Sequence, residues 1–415
     1  MLLQQMMERE IVVIGGGPAG LAAAVKARES GVKDVLLVER SGRLGGILNQ
    51  CIHDGFGVEI FKKALAGPEY AQAYIDKAEK LGVECMTEST VTGLQDRTLT
   101  IQSPRGLADI KAKAVIVTAG CRERTREMIR IPGSRPAGVY TAGCAQNLMN
   151  LLGYMPGRRV VILGSGDIGL IMARRLTLEG AEVLAVVEIM PYSNGLPRNM
   201  QQCLRDYNIP LHLRHTVTEI RGVKRLDGVT ISEVDEKFQP IAGTEKKFEC
   251  DTLLLSVGLI PENELTEKAG VEMDPATRGP VVNEFNETSV EGVYAAGNCL
   301  QVHDLVDWAT LEAENAAAHA AEYVLKGVRG GRGHKTVAGE GILQVVPQRY
   351  SGEHDVTISL RVKTPFKGKS LVVSDGGRAV RSEHHVKMNP AEMIRVRLSK
   401  DEVKDTKELR VDVRD

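Results

Sequence analysis

The sequence is short of aromatic residues, which make up 4% of its 415 positions and include a single tryptophan. It has no paired cysteines. The seven thiols stand at Cys51, Cys85, Cys121, Cys144, Cys203, Cys250 and Cys299, and no two of them form a CxxC. An odd, dispersed set argues against a disulfide scaffold, an iron–sulfur cluster or a zinc site, so no metal is expected and a reduced, cytoplasmic setting is. No uninterrupted apolar run is long enough to span a bilayer, and the opening MLLQQMMERE is too short and too polar for a signal peptide. Charge is balanced, with a formal net value of −1, so no global field draws the chain to nucleic acid or a membrane surface. Glycine, in contrast, is abundant at 43 residues, as in a chain with many tight strand-to-helix turns. The length predicts two or three domains.

The apolar pattern repeats. Ile11-Val12-Val13-Ile14 reads as a short buried strand, followed by a glycine turn, an alanine-rich helix and a second strand at Val35-Leu36-Leu37-Val38. The same order recurs with Val160–Leu163 as strand, Gly164–Gly169 as turn, Leu170–Leu178 as helix and Val183–Val187 as strand. This is an internal duplication of a strand–helix–strand unit. Pro132-Gly133 and Pro156-Gly157 punctuate the region between the two copies. A long helical run is predicted from Asp304 to Lys326, with Asp304 as its N-cap and Gly327 ending it. Trp308 and Leu311 on it are expected to face the core. Beyond Gly330-Gly331 the residues alternate, as in Val356–Leu360 and Arg395–Leu398, and Asp375-Gly376 reads as a hairpin turn. From residue 331 onward this β-rich tail carries 17 Lys/Arg against 12 Asp/Glu, a mild excess best read as a solvated surface, with docking of an acidic partner as the lesser alternative.

Two glycine fingerprints carry the chemistry. In the first, Gly15 permits a tight turn, Gly17 lets backbone approach a pyrophosphate, and Gly20 allows close helix–strand packing, with Pro18 and Ala19 opening the helix that faces the phosphates. Glu39 follows Gly20 by 19 positions, where an acid would accept a ribose hydroxyl, with Arg40 beside it. The second fingerprint is Gly164, Gly166 and Gly169 with Asp167 and Ile168 between them, and Glu188 again follows by 19 positions. An acid there repels a 2′-phosphate, so NAD(H) is favoured over its phosphorylated counterpart. Two dinucleotide sites in one chain make hydride transfer the economical explanation, with flavin as the usual acceptor from nicotinamide.

Residues 1 to about 325 resemble the pyridine nucleotide-disulfide oxidoreductases. The resemblance rests on both fingerprints, Leu44-Gly45-Gly46, Val115–Gly120, Asp251–Gly258 with Pro261, and Gly292–Asn298. It implies FAD and NAD(H) as cofactors. It places Gly45 and Gly46 against the flavin, Ala119 and Gly120 on FAD, Val91 and Gly258 among the cofactor-binding residues, and Gly297 and Asn298 at the ribityl chain, where the family usually has Asp. It also turns the helix beginning at Asp304 toward the flavin pyrimidine edge, where a helix amino terminus stabilises negative charge.

Departures from the disulfide reductases are as informative. Those enzymes carry CxxxxC after the Gly-Gly pair, and here Leu48 and His53 occupy the two positions, so a dithiol relay is excluded. Cys51 and His53 remain candidate catalytic groups, His53 as a hydrogen-bond or proton donor by the flavin. Both can equally be structural, a packed thiol and a satisfied polar neighbour. The strings Leu44–Gly57, Gly67–Ala71, Gly120–Arg124, Pro136–Gly143 and Asn298–Asp307 resemble a bacterial and archaeal subgroup that accompanies a glycerol-3-phosphate dehydrogenase and a small cysteine-bearing protein, more distantly similar to the flavoprotein subunits of sarcosine oxidase, opine and cyanide-forming dehydrogenases.

The expected fold is therefore α/β, with two Rossmann-like, glutathione-reductase-like dinucleotide-binding domains and a small carboxy-terminal β-rich domain. Residues 1–125 and 285–328 form the expected FAD-binding domain, 126–284 the NAD(H)-binding domain and 335–415 the β-rich domain. The expected function is hydride transfer between nicotinamide and flavin, in an oligomeric electron-transfer subunit whose partner dehydrogenase handles an organic substrate. Two alternatives stand beside it. One is a stand-alone NADH oxidase or peroxidase that cycles Cys51 through a sulfenic acid; the other is a redox-sensing module without turnover.

Overall fold

The computed structural model describes residues 7–415; the first six, part of the segment read as too polar for a signal peptide, lie outside them. The chain forms two compact units. The first runs up to Cys121 and resumes at Pro261–Asp415, and the second is Arg122–Ile260.

In the first unit the buried runs of the sequence become a parallel sheet. Met7–Ile14 is flanked by Val35–Val38 on one side and Gly106–Val117 on the other, all in parallel register. The Ile11–Ile14 and Val35–Val38 segments are buried on both faces, which is why they read as continuous apolar runs rather than alternating ones. Gly106–Val117 is unusually long because two neighbours share it. Its first half pairs antiparallel with Thr98–Ser103, while Val115–Val117 pairs parallel with Val293–Ala295. The second pairing returns the chain to the first unit. The helix Pro18–Glu29 and the helix Val306–Lys326 pack on the same face through small residues: Ala22, Ala23, Ala24 and Ala27 join Ala313, Ala316, Ala317, Ala320 and Ala321 in one apolar cluster.

The second unit repeats this plan. Glu182–Glu188, Arg159–Leu163, Thr252–Leu255 and Val139–Thr141 lie parallel in that order, with Leu211–Leu213 at the edge. A three-stranded antiparallel sheet, His215–Gly222, Leu226–Glu233 and Lys246–Phe248, accompanies it, as the antiparallel strands accompany the first sheet. The fold is α/β with Rossmann-like sheets, as the duplicated pattern implied. No helix among the described residues is long and apolar enough to cross a membrane.

Several features differ from the sequence reading, among them residues 122–125, expected with the FAD-binding domain and found in the second unit. Residues 261–284, expected with the nicotinamide-nucleotide domain, fall in the first unit. The physical cause is visible in two contacts: Leu265 and Ala269 pack on the first unit's apolar cluster, and Asn263 Nδ2 donates to the Cys299 carbonyl at 2.7 Å. The long helix also begins at Val306, with Leu305 as a cap that offers no side-chain hydrogen bond. Asp304 is not its N-cap. Its carboxylate is taken instead by Arg361 Nη2 at 3.4 Å and by the Met393 amide at 3.3 Å, both from the tail. Gly327 does end the helix, in the left-handed region at φ 72°.

The tail is a two-sheet β structure within the first unit. Arg349–Tyr350, His334–Ala338, Glu408–Arg414, Phe366–Asp375 and Arg378–Met388 form one sheet, and Ile342–Val346, Val356–Val362 and Ile394–Leu398 the other. Tyr350, Ile358, Leu360, Val373, Leu398 and Val411 are among the residues of its own apolar core. The predicted hairpin turn after Asp375 is present, closed by Gly376 and Gly377 with positive φ.

Candidate functional site

Each glycine turn sits where a parallel strand ends and a helix begins. Their outer glycines are required by the protein itself. A Cβ on Gly20 would collide with the Gly15 carbonyl, and one on Gly169 would stand 2.7 Å from the Gly164 carbonyl. A strand-end hydroxyl fits over each turn: Thr118 Oγ1 donates to the Ile14 carbonyl at 2.7 Å, and Ser256 Oγ accepts from the Gly169 amide at 3.1 Å.

The middle glycines are different. Gly17 has an ordinary φ of −75°, and a Cβ built on it would meet nothing nearer than Gly46 Cα at 4.0 Å. Gly166, with φ −67°, would meet only Ser256 Oγ at 3.7 Å. Neither backbone strain nor packing calls for glycine at these two positions. The space in front of each helix terminus is open, and a pyrophosphate approaching closely fits it. The residues present therefore fit a dinucleotide at both turns.

The two acids occupy equivalent places. Glu39, 7% exposed, accepts from the Gly16 amide at 2.6 Å and from the Ser41 amide at 2.7 Å. Glu188, 3% exposed, accepts from the Ser165 amide and hydroxyl at 2.9 and 2.6 Å and from the Met190 amide at 2.9 Å. A carboxylate has about four acceptor positions, so capacity for ribose hydroxyls remains in each. Asp167, in the first turn of the second helix, is tethered by the Leu196 amide at 2.8 Å and Asn199 Nδ2 at 2.7 Å.

Over the first turn lies the segment that follows Leu44. The Gly45 amide donates to the Gly16 carbonyl at 2.8 Å, and a Cβ on Gly46 would stand 2.9 Å from Gly17 Cα. Gly45 and Gly46 both have positive φ, which admits this approach. Further along, Cys51 is 8% exposed, its Sγ 3.3 Å from the Ile47 carbonyl. Burial pushes its thiol up to about 12. His53 is half-buried, its ring 5.0 Å from that of Phe56.

The Gly297 turn comes to the same place from the other end of the unit, since a Cβ there would be 2.8 Å from Ala19 Cβ. Asn298 Oδ1 accepts from the His303 amide at 3.0 Å, and its Nδ2 donates to Cys121 Sγ at 3.5 Å. Glu312 organises the turn. Its Oε2 accepts from the Gly297 amide at 2.7 Å and lies 3.0 Å from His303 Nε2, and its Oε1 accepts from Gln301 Nε2 at 2.7 Å. Asp307 holds the loop carrying Phe56, accepting from the Gly57 and Ile60 amides at 3.1 Å each, and burial raises its carboxyl above the usual range. Sequence reasoning missed Glu312, His303, Gln301 and Asp307 as positioning groups. An acid set among the buried alanines of a helix was the signal available for Glu312.

Pro18 and Ala19 open the first helix, and Ala119 and Gly120 follow the shared strand. Arg40 is exposed beside Glu39. Val91 packs its side chain in the apolar cluster with Val12 and Leu36, near Ser89, whose amide donates to the Glu39 carbonyl at 2.9 Å. In the second unit Ile168 packs against the apolar cluster, and the Gly258 carbonyl accepts from the Arg124 amide at 3.1 Å. Asp304 serves the tail, and Trp308, half-buried, faces a cavity rather than the core.

The sequence pattern described as pyridine nucleotide-disulphide oxidoreductase matches residues 9–321. The chain belongs to that family. Members of the pyridine nucleotide-disulphide oxidoreductase family bind FAD and NAD(P)H, in keeping with the two open middle glycines. An opine oxidase subunit of Agrobacterium tumefaciens (strain Ach5) is 26% identical over 312 residues, 70% of this chain and 61% of that protein. A hydrogen cyanide synthase subunit of Pseudomonas protegens is 26% identical over 315 residues, 69% of this chain and 65% of that protein. The chain thus spans less than two thirds of the length of these curated relatives. Among solved structures, thioredoxin reductase of T. acidophilum is 26% identical with a TM-score of 0.63, covering 76% of this chain and 98% of that one. The family match ends before the β-rich tail begins.

Proposed function

We propose that this chain is the FAD- and NAD(H)-binding subunit of an electron-transfer oxidoreductase. The observation that carries the reading is the pair of middle glycines, Gly17 and Gly166, open toward solvent at two helix termini of one polypeptide, each backed by a buried acid. FAD is assigned to the turn Gly15–Gly20 and NAD(H) to the turn Gly164–Gly169. When bound, FAD would supply the two-electron acceptor for a hydride from the nicotinamide. The chain's own residues bind and orient. Glu39 and Glu188 take ribose hydroxyls, Glu188 disfavours a 2′-phosphate, and Glu312 fixes the Gly297 amide. Asn298, in place of the family's acid, offers an amide to the ribityl chain.

Two relatives are named as subunits, which supports a partner that handles the organic substrate. The finer assignment, an assembly with a glycerol-3-phosphate dehydrogenase and a small cysteine-bearing protein in the cytoplasm, rests on the strings between Leu44 and Asp307 and on the odd, dispersed cysteines of the sequence. The alternative of a peroxidase using Cys51 is disfavoured by a thiol buried and held up to about 12, which leaves almost no thiolate at neutral pH. Stopped-flow mixing of the flavin-loaded protein with NADH tests the core reading. Bleaching of the flavin band is the expected result, and an unchanged band rejects it. Native purification followed by identification of copurifying chains tests the partner.

A further inference from the structure

Residues 300–305 lead from the Gly297 turn to the helix Val306–Lys326 and form neither helix nor strand. Their backbone groups have no ladder to pair with, so partners must come from elsewhere. Two such partners meet on one peptide unit. The Val302 carbonyl accepts from Arg361 Nη2 at 3.1 Å. The His303 amide, at the other end of that unit, donates to Asn298 Oδ1 at 3.0 Å. A trans peptide points its C=O and its N–H in opposite directions, so this plane is gripped from both sides.

Arg361 is itself firmly held. It lies on the tail strand Val356–Val362, between Ile342–Val346 and Ile394–Leu398, and its side chain is largely buried. Its Nη1 donates to the Pro390 and Ala391 carbonyls at 2.9 and 2.6 Å, which ties the guanidinium to the tail. Its Nη2 also lies 3.4 Å from Asp304 Oδ1. A second tail contact steadies the same segment, because Leu300 joins Val346 in one apolar cluster. Arg361 stands beyond residue 321, where the family pattern ends.

We propose that Arg361 is a positioning residue for the flavin site: acting across the Val302–His303 peptide, it keeps Asn298 Oδ1 on the His303 amide and so presents Asn298 Nδ2 as a hydrogen-bond donor to the ribityl chain. This rests on the assignment of FAD to the turn Gly15–Gly20. The segment starts against that cradle, since a Cβ on Gly297 would stand 2.8 Å from Ala19 Cβ. Asn298 Nδ2 has two hydrogens, and Cys121 Sγ, at 3.5 Å, is a weak acceptor for one of them. A carbonyl held by a cation also makes the N–H of its own peptide a stronger donor, so the guanidinium strengthens the grip on Oδ1. With the plane released, the carboxamide could exchange its oxygen and nitrogen ends, and the ribityl chain would lose a fixed donor. The tail thus serves the cofactor without touching it.

The test follows FAD release from the loaded full chain by the gain in flavin fluorescence, with the visible circular dichroism of the bound flavin as a second readout. Arg361→Met should speed release by about 10-fold and alter the flavin dichroism, and Asn298→Ala should do both to a like degree. In the Asn298→Ala background Arg361→Met should add less than about 2-fold, because the group through which it acts is gone. A further loss of about 10-fold in that background would show that Arg361 only steadies the tail, and overturns the proposal. Unchanged release or unchanged flavin dichroism in either single variant overturns it as well. Should Arg361→Met fail to fold, Arg361→Lys keeps the charge and removes the fork. Release at least about 3-fold faster in it, and no faster once Asn298 is alanine, supports the proposal; release equal to wild type overturns it. A wild-type chain that takes up no FAD overturns the proposed function and this inference together, whereas tight FAD binding that ignores Arg361 overturns this inference alone.

Discussion

The two glycine turns are built to one plan and then diverge at one position. Between the first and second glycines the amino-terminal turn has Gly16, and the later turn has Ser165. A Cβ on Gly16 would lie 2.7 Å from Leu44 Cδ2 and 3.0 Å from Glu39 Cβ, whereas Ser165 is accommodated and donates its hydroxyl to Glu188. The reason is what lies over each turn. Leu44, Gly45 and Gly46 fold onto the first, whereas at the second the Asn194 amide donates to Ser165 Oγ at 3.1 Å and Ser193 Oγ to the Ser165 carbonyl at 3.3 Å, so the serine is bonded into its cover. The same acid, helix and strand thus accept two different coverings of the turn.

The comparison can be broken most decisively at the middle glycines. Gly17→Val should cut flavin affinity by more than about 100-fold and give colourless protein, while Gly166→Val should stay yellow and lose at least about 100-fold in kcat/KM for NADH. Both should fold, since a Cβ at either place meets nothing close. The opposite pairing of losses would reverse the assignment of the two turns. Next in size is Glu188→Ala, which should reduce the preference for NADH over NADPH by about 10- to 100-fold and leave flavin content intact. The converse change, Glu39→Ala, should lower flavin content and leave nucleotide preference alone.

Smaller effects sharpen the role of the covering layer. Gly16→Ser should destabilise by roughly 1–3 kcal/mol through crowding, and Ser165→Gly by about 1–2 kcal/mol through loss of a hydrogen bond to a charged acceptor, both read from urea unfolding. Cys51→Ala should change NADH reduction by less than about 3-fold, because the thiol is buried and packed. Its pH dependence has a definite sign. The native thiol keeps its proton up to about 12, whereas the unfolded thiol releases its proton near 9.0, so rising pH between these values favours the unfolded chain. The wild type should therefore lose about 1.4 kcal/mol per pH unit more than the variant over that window, and unfolding at several alkaline pH values measures it.

Much of this was legible in the residues. Continuous apolar runs such as Val160–Leu163, rich in β-branched residues and bounded by glycine turns, read as strands buried on both faces, and glycines at fixed spacing with an acid 19 positions on define the turn. What could not be read is what depends on partners remote in sequence. Asp304 sits where an N-cap belongs, yet Arg361 and Met393 claim its carboxylate from the tail. Local propensity gave way to a charged tertiary partner. Residues 261–284 follow the second fingerprint in the chain but pack with the first unit, because Leu265 and Asn263 find their contacts there. Glu312 and Asp307 reveal their work only when the amides of Gly297, Gly57 and Ile60 are brought to them.

The alanine-lined seam between Pro18–Glu29 and Val306–Lys326 limits what the first unit can tolerate. Where both surfaces are made of methyl groups, the helices meet almost backbone to backbone, with no long side chain to rotate aside. Such a seam filters substitutions by volume more than by polarity. Serine or glycine at Ala317 or Ala320 would be tolerated far better than leucine, whose bulk would lever the long helix off the sheet and shift the Gly297 turn that leads into it.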